Sequence, residues 1–376
     1  MKKSSIFAGC LLLVGSLFAA TACSSDDSNS SKAGVATGLD QETAAVRDQL
    51  EQLYKSATAA GEKTVNVYTL APDEFSKRNE TGLGKIAALF EKSFPGITVK
   101  PVDGSVIAES TAAEKASGKY VGDVVLHGDT EVDDLKTKGY LEKFTPAGAS
   151  NLAHPEYSDP DGYAYSPFHL YNGVLYNTSE LTEKDVPRTW AQLADPKWKG
   201  QFLIVAANGV TSLRTYANLV YNKKLGPAEQ NYLKQILANG TVTNTFSDVL
   251  TKVIEGDYKF SIFGPGSGTL KSKARGLPID FADSVLTLHN NLWSAVSAHA
   301  PHPNAAKLFD AFQFSLAAQN AYATDSFYLP NAKGSQQNKY WPEVTPQEKL
   351  IPFGVLGKYS QQLAPEFEAL YAQARK

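Results

Sequence analysis

Cysteine is almost missing from this 376-residue chain: only Cys10 and Cys23 occur. Both fall in the first 23 residues, so the rest of the chain carries no disulfide and no thiol chemistry and must rely on its core. The common catalytic signatures are missing as well. There is no CxxC and no HExxH to hold zinc. The glycine-rich run Gly264-Pro265-Gly266-Ser267-Gly268 fits neither a phosphate-binding P-loop nor the nucleophile elbow of a serine hydrolase. The carboxylates are scattered, with no pair that the sequence places together. No polybasic block exists, and the formal charge is −3, or −5 once Lys2 and Lys3 leave with the first 22 residues. A nucleic-acid partner is therefore not expected. No internal repeat is visible.

What is present begins at the N-terminus. Lys2 and Lys3 form a positive n-region, and Ile6 to Ala20 is an apolar stretch of signal-peptide length, too short and too early for an ordinary spanning helix. It ends at Ala20-Thr21-Ala22-Cys23, which resembles a lipobox although Ala20 stands where Leu is usual. The expectation is a lipoprotein signal over residues 1–22 and acylation of Cys23, against a plain secretory signal in which Cys23 is incidental. Ser24 to Gly38 is rich in Ser, Asp, Asn and Gly, and reads as a flexible tether over 23–39. The remaining chain is longer than one core normally spans, so two lobes are expected.

Apolar periodicity places a helix over Asp40 to Ala60, with Val46, Leu50, Leu53, Tyr54 and Ala57 at spacings of three and four. Strands follow at Thr64 to Leu70, Ile97 to Val102 and Asp123 to His127, alternating with helices at Leu83 to Phe94, Ile107 to Ser117 and Glu131 to Lys138. Tyr163 to Tyr176 is an aromatic, extended stretch. A second series runs through helices at Thr189 to Leu193, Ser212 to Tyr221 and Pro227 to Asn239, and strands at Phe202 to Ala206 and Phe260 to Phe263. Apolar segments at Val285 to His289 and Leu292 to Val296 precede helices at Pro303 to Ala317 and Pro365 to Ala374. The alternation predicts an α/β protein whose two lobes are each a doubly wound, mainly parallel sheet. The boundaries expected are 40–167 for the first lobe and 168–292 for the second, with 293–376 supplying C-terminal helices that pack on the lobes and in part return to the first. Extended crossings near 165–172 and 287–296 would hinge the pair.

Several of these segments carry a resemblance. Leu175-Tyr176-Asn177-Thr178, Pro187-Arg188-Thr189-Trp190 and Asp195-Pro196-Lys197-Trp198-Lys199-Gly200 are motifs of a second lobe. Ala300-Pro301-His302-Pro303-Asn304-Ala305-Ala306 with Phe312, Ser315 and Gln319 is another, and Val65 to Thr69, Phe90 to Lys100, Asp123 to Gly128 and Gly139-Tyr140-Leu141 belong to a first lobe. From Gln41 to Gly334 the chain resembles the extracellular solute-binding proteins that include the ferric-ion, 2-aminoethylphosphonate and polyamine binders of ABC importers. That resemblance implies a type II periplasmic-binding-protein fold, a small solute held between the lobes, delivery to ABC permease subunits, a monomer, and neither catalysis nor a cofactor. A two-lobed enzyme remains the alternative from another class. The residues themselves also have structural readings: Thr189 is placed to cap a helix, and Pro303 with Ala305 and Ala306 starts one, so His299 and His302 are read as structural.

In open α/β sheets, ligands bind beyond the carboxyl ends of the strands. Those ends nominate Thr69 and Leu70, Gly104 and Ser105, His127, Gly128 and Asp129, Asn208, Gly209, Thr211 and Ser212, and Phe263, Gly264 and Ser267. The crossings add Phe168, His169, Tyr171, His289 and Asn290. Ordinary turn chemistry is the competing account of each loop. Gly104-Ser105 and Asn208 to Ser212 lead into predicted helices, where backbone N–H groups and hydroxyls favour an anion such as a phosphonate, organophosphate or carboxylate. The alternative is a metal on His127, His169 and His289. The related ferric binders use adjacent tyrosines. This sequence has no Tyr-Tyr pair, and the matching region reads Phe260-Ser261-Ile262-Phe263-Gly264-Pro265.

Overall fold

The structure is a computed structural model that describes residues 37–78, 82–205, 210–243, 246–342 and 350–374. The expected signal peptide, Cys23 and most of the tether lie outside these residues. The described chain starts already packed: Thr37 N donates to Ser93 O, and Leu39 is buried in the first core. Residues 37–39, read as the end of the tether, are therefore tied to the first lobe; the rest of that segment lies outside the described residues.

The first series runs α1 (Ala44–Ala59), β1 (Thr64–Thr69), α2 (Pro72–Ser76), α3 (Gly82–Ser93), β2 (Thr98–Asp103), α4 (Ile107–Ser117), β3 (Val124–Gly128) and α5 (Asp129–Thr137). Thr43 caps α1, accepting from Val46 N. Strand β4 (Tyr165–Asn177) then leads to α6 (Trp190–Leu193), β5 (Phe202–Val205), α7 (Val210–Tyr221), α8 (Pro227–Asn239), β6 (Thr241–Thr243), α9 (Phe246–Ile254), β7 (Phe260–Pro265), α10 (Gly266–Ala274) and β8 (Ile279–Ala282). The chain returns through β9 (Leu288–Val296) to α11 (Pro303–Phe312), α12 (Leu316–Ala321), β10 (Leu329–Pro330) and α13 (Val355–Ala374).

The sheet order is β2-β1-β3-β9-β4-β7-β5-β6, with β8 and β10 also pairing with β4. Pairing is parallel within each series, β2-β1-β3 and β7-β5-β6, and antiparallel wherever β4 or β9 takes part. These two strands are the crossings. The first half of β4 pairs with β9, and its last residues pair with β7 and β8.

Two separate apolar cores explain the two lobes. One is centred on Phe90, which packs against Phe94, Phe309 and Phe312 with ring centroids 5.1 to 5.5 Å away. The other joins Phe202, Phe260 and Trp198 to Leu233, Ile236 and Val249. The clusters share no residue. The other face of the first sheet buries Trp293 and Val125 against Val132 and Leu135 of α5. Helix α13 packs on α5 of the first lobe and on α7 and α8 of the second. Among the described residues no helix is long and apolar enough to cross a membrane.

Four expectations about elements are corrected. The helix read over Pro303 to Ala317 is two helices, because Ser315 accepts from Ala318 N and starts a new one. The terminal helix begins at Val355, and Pro365 lies inside it. Packing of Phe367 and Leu370 into the second core outweighs the proline's helix-breaking tendency there. The segments at 285–289 and 292–296 do not form separate elements: residues 285–286 are turn, and Leu288–Val296 is one strand, β9. The helices α2, α9 and α10 and the short strands β6, β8 and β10 were not anticipated.

Candidate functional site

The loops after β1, β2 and β3 meet at one edge of the first lobe. Gly104 N donates to Thr69 O at 2.9 Å, and a Cβ on Gly104 would lie 3.1 Å from Thr69 backbone atoms, so this approach favours glycine. Thr69 is buried, and its hydroxyl accepts from Ala71 N. Ser105 N donates to the Asp103 carboxylate at 2.9 Å. Leu70 and Val106 beside them are 56% and 54% exposed, two of the four large apolar side chains left open to solvent among the described residues.

His127 ties β3 to this edge. Its Nε2 lies 3.2 Å from Gly104 O, so that nitrogen carries the proton, while Nδ1 lies 2.9 Å from Gly128 N. Glu131 Oε2 is 3.2 Å from the same Nδ1. The second lobe enters here. Arg214, in the first turns of α7, places Nη2 2.6 Å from both Glu131 oxygens. A Cβ on Gly128 would fall 3.0 Å from Arg214 Nη1. Burial opposes ionisation of Glu131, but a His127 ring protonated on both nitrogens would donate to it, and the Arg214 charge draws it further, so the carboxyl is held below its usual range. A second ion pair, Lys271 Nζ to Glu74 at 3.8 Å, also joins α10 to α2.

Asp129 begins α5 and accepts from Gly354 N at 2.9 Å, just before α13. Burial pushes its carboxyl up to about 6; the Gly354 bond works the other way, the Asp133 charge adds to the rise, and the Arg214 charge and the Gly357 backbone oppose it.

At the crossings, His169 of β4 and His289 of β9 stack with centroids 4.1 Å apart. His169 Nδ1 bonds Asn331 Oδ1 at 2.6 Å, and His289 Nε2 lies 3.3 Å from the Tyr157 hydroxyl. Tyr171 stands edge-on to both rings and to Trp341. Burial drives His169 down to about 4 and His289 well below its usual range.

The nominated residues thus divide. Thr69, Leu70, Gly104, Ser105, His127, Gly128 and Asp129 share one edge of the first lobe. His169, Tyr171, His289 and Asn290 lie on the crossing strands. Asn208 and Gly209 fall outside the described residues; Thr211 and Ser212 lie in the first turn of α7, and only their backbone is described. Phe168 is a correction: it is fully buried and stacks on Tyr328 at 4.4 Å, as core. Phe263 is a second, packed in the other core with φ +59° opposite the register shift at Gly173/Leu175. Gly264 is a third, since a Cβ there would collide with Leu175. Ser267 lies in the first turn of α10 and not in a loop.

The three histidines do not converge. In the β3–β9 register His127 faces Trp293, four residues along β9 from His289, or about 13 Å. Among the described residues no group of three or more His, Cys, Asp or Glu is placed to hold a metal ion. The residue that sequence reasoning missed is Arg214. Its signal was a cation in the opening turns of a helix that follows a strand's carboxyl end.

Two cores bridged by two crossing strands, with strand ends of both lobes turned to a shared polar edge, define a two-lobed binding protein. Residues 85–346 match the sequence profile of the bacterial extracellular solute-binding proteins, and the chain belongs to that family. Comparison with curated proteins gives no sequence match. Among solved structures, the chain is similar to iron-bound HitA from Pseudomonas aeruginosa, at 23% identity and TM-score 0.63, covering 83% of this chain and 99% of that one. It is similar to the substrate-binding protein of an ABC transporter from Agrobacterium tumefaciens, at 16% identity and TM-score 0.67, covering 84% and 96%. The ferric binding protein of Campylobacter jejuni is also similar, at 16% identity and TM-score 0.65, covering 81% and 99%. At these identities the likeness carries the fold alone.

Proposed function

We propose that this protein captures a small organic anion (a phosphonate, organophosphate or carboxylate) between its lobes and delivers it, chemically unchanged, to an ABC import permease. The observation that carries the ligand class is Arg214. A guanidinium from the second lobe reaches Gly128 and Glu131 at the strand-end edge of the first. Arginine holds carboxylates and phosphates with two parallel hydrogen bonds. Glu131 meets that guanidinium through Nη2 alone, and an anion between the lobes would compete with it for the group. The amino end of α7, four residues before Arg214, adds backbone N–H groups of the same preference.

A ferric-ion reading is the second possibility, favoured by the likeness to ferric binders. Against it stand the lack of a Tyr-Tyr pair and the separation of His127 from His169 and His289. Export and a lipid anchor on Cys23 complete the proposal: one acyl anchor and the polar run after it would hold the domain beside its permease without embedding it. The lobe boundaries proposed remain near 167 and 292, inside or beside β4 and β9.

Calorimetry on chelator-treated protein tests the ligand class. Tight binding of a phosphonate, organophosphate or carboxylate is expected without metal. Binding that vanishes on chelation and returns with iron would replace the anion reading with the ferric one, and turnover of the bound compound would establish an enzyme.

A further inference from the structure

A cavity of about 30 Å³ lies where α5, α7, β9 and the chain before α13 come together. Asp129, Asn218, His289, Asn290, Asn291 and Trp293 line it, with Leu350, Ile351 and Leu356 on the apolar side. Two polar atoms of its lining residues are buried without a hydrogen-bond partner: Asp129 Oδ2 and Trp293 Nε1. Trp293 is only 1% exposed, and its ring packs on Phe353 at 4.5 Å. Buried polar atoms are rarely left unpaired in native proteins, because each costs about 1–3 kcal/mol. Both belong to residues that line one cavity, so a group seated there could serve the two together.

Their chemistry restricts that partner. An indole N–H only donates, and an ionised carboxylate only accepts. An ammonium group could satisfy Asp129 and would leave Trp293 unpaired. A carboxylate or phosphate oxygen could satisfy Trp293 and would be repelled by Asp129. A hydroxyl satisfies both, its O–H donating to Oδ2 and its lone pair accepting from Nε1. The volume suits a group of that size, since a single water needs roughly 10–15 Å³ on such a measure. The amides of Asn218, Asn290 and Asn291 suit hydroxyls equally.

Asn218 is four residues after Arg214 on α7, so the two side chains share a face about 6 Å apart. We infer that the solute is a hydroxylated anion whose hydroxyl seats between Asp129 and Trp293, about one helical turn from the anionic group at Arg214. This rests on the anion reading above and narrows it to hydroxy acids and polyol phosphates.

The test uses probe pairs alike in charge and length: glycerol 3-phosphate against propyl phosphate, and 3-hydroxybutyrate against butyrate. Binding is measured by calorimetry, and the Trp293 indole N–H is followed by NMR, its resonance assigned with Trp293→Phe. The hydroxylated member of a pair is expected to bind at least tenfold more tightly and to shift that resonance, and Trp293→Phe to reduce the preference towards one. Should the variant not fold, the wild-type resonance, assigned instead by substituting Trp190, Trp198 and Trp341 in turn, carries the test. Equal binding within both pairs, or an indole that no bound probe moves, would mean a structural water only and overturn the hydroxyl site while leaving the anion reading intact. If neither pair binds at all, the anion reading fails and the inference with it.

Discussion

His169 and His289 lie face to face, 4.1 Å between ring centroids and 25° between planes, one from each strand that links the lobes. In the β4–β9 ladder His169 pairs with Asn291 and Tyr171 with His289, so the imidazoles are diagonal neighbours on one face of the hinge. Tyr157 stacks at 5.9 Å from each ring. Neutral imidazoles tolerate this packing, whereas two charged ones would repel in a poorly hydrated space.

That arrangement predicts an acid-labile hinge. His169 is held at about 4 against an ordinary 6.5. The unfolded chain therefore takes up a proton that the folded one refuses, and stability falls as pH drops from 6.5 towards 4, by roughly 3 kcal/mol for this group. Urea unfolding of His169→Gln should show a shallower loss over this window than wild type. Parallel curves would exclude the pair as the titrating element.

Arg214 and Glu131 predict opposite effects on solute binding. Losing a hydrogen bond to a charged group costs about 1.5–3 kcal/mol, so Arg214→Ala should weaken anion binding about ten- to a hundredfold. Glu131→Gln removes the carboxylate that competes for the guanidinium and should tighten it. Calorimetry with one anionic probe on both variants decides this. A loss of affinity in both would mean that the pair only holds the lobes together.

Cys23→Ala is expected to release the protein from the membrane fraction or to block its processing, because the thiol is the proposed site of the acyl anchor. Equal membrane retention of the mutant on fractionation would remove lipidation from the account.

The fold was legible because its signals are local and periodic. Val46, Leu50, Tyr54 and Ala57 point into the first core as their spacing requires, and Ile107–Ser117 and Pro227–Asn239 are helices as read. What failed was context. Phe168 and Phe263 sit at a crossing and at a strand end, positions open to a ligand in the sequence pattern, yet tertiary packing turns both into a core. Pro365 looked like a helix start because the sequence does not show Phe367 and Leu370 anchoring the turns around it. Strand-end logic nominated Thr69, Gly104, His127 and Asp129, which the structure places along one edge of the first lobe. It passed over Arg214 because an arginine within a helix looks solvated until its partner, Glu131 of the other lobe, is known.

Asp129 yields the last prediction, with the opposite pH sense from the histidines. Its carboxyl is raised to about 6 from 3.8, chiefly by burial, so the folded state holds the proton more tightly than the unfolded one. Its contribution is present in acid and is lost as pH rises from about 4 through 6, some 3 kcal/mol in all. Asn keeps an oxygen to accept from Gly354 N and removes the buried charge. The stability of Asp129→Asn relative to wild type should therefore climb by about that amount between pH 4 and pH 7. Taking the difference between the two proteins at each pH cancels the histidine term, which both share. A difference that stays flat would mean that Asp129 is ionised at low cost in the folded protein, through water or a cation in the cavity beside Trp293. Such a partner would also satisfy Oδ2, leaving the Trp293 indole N–H as the one group there for a hydroxyl to serve.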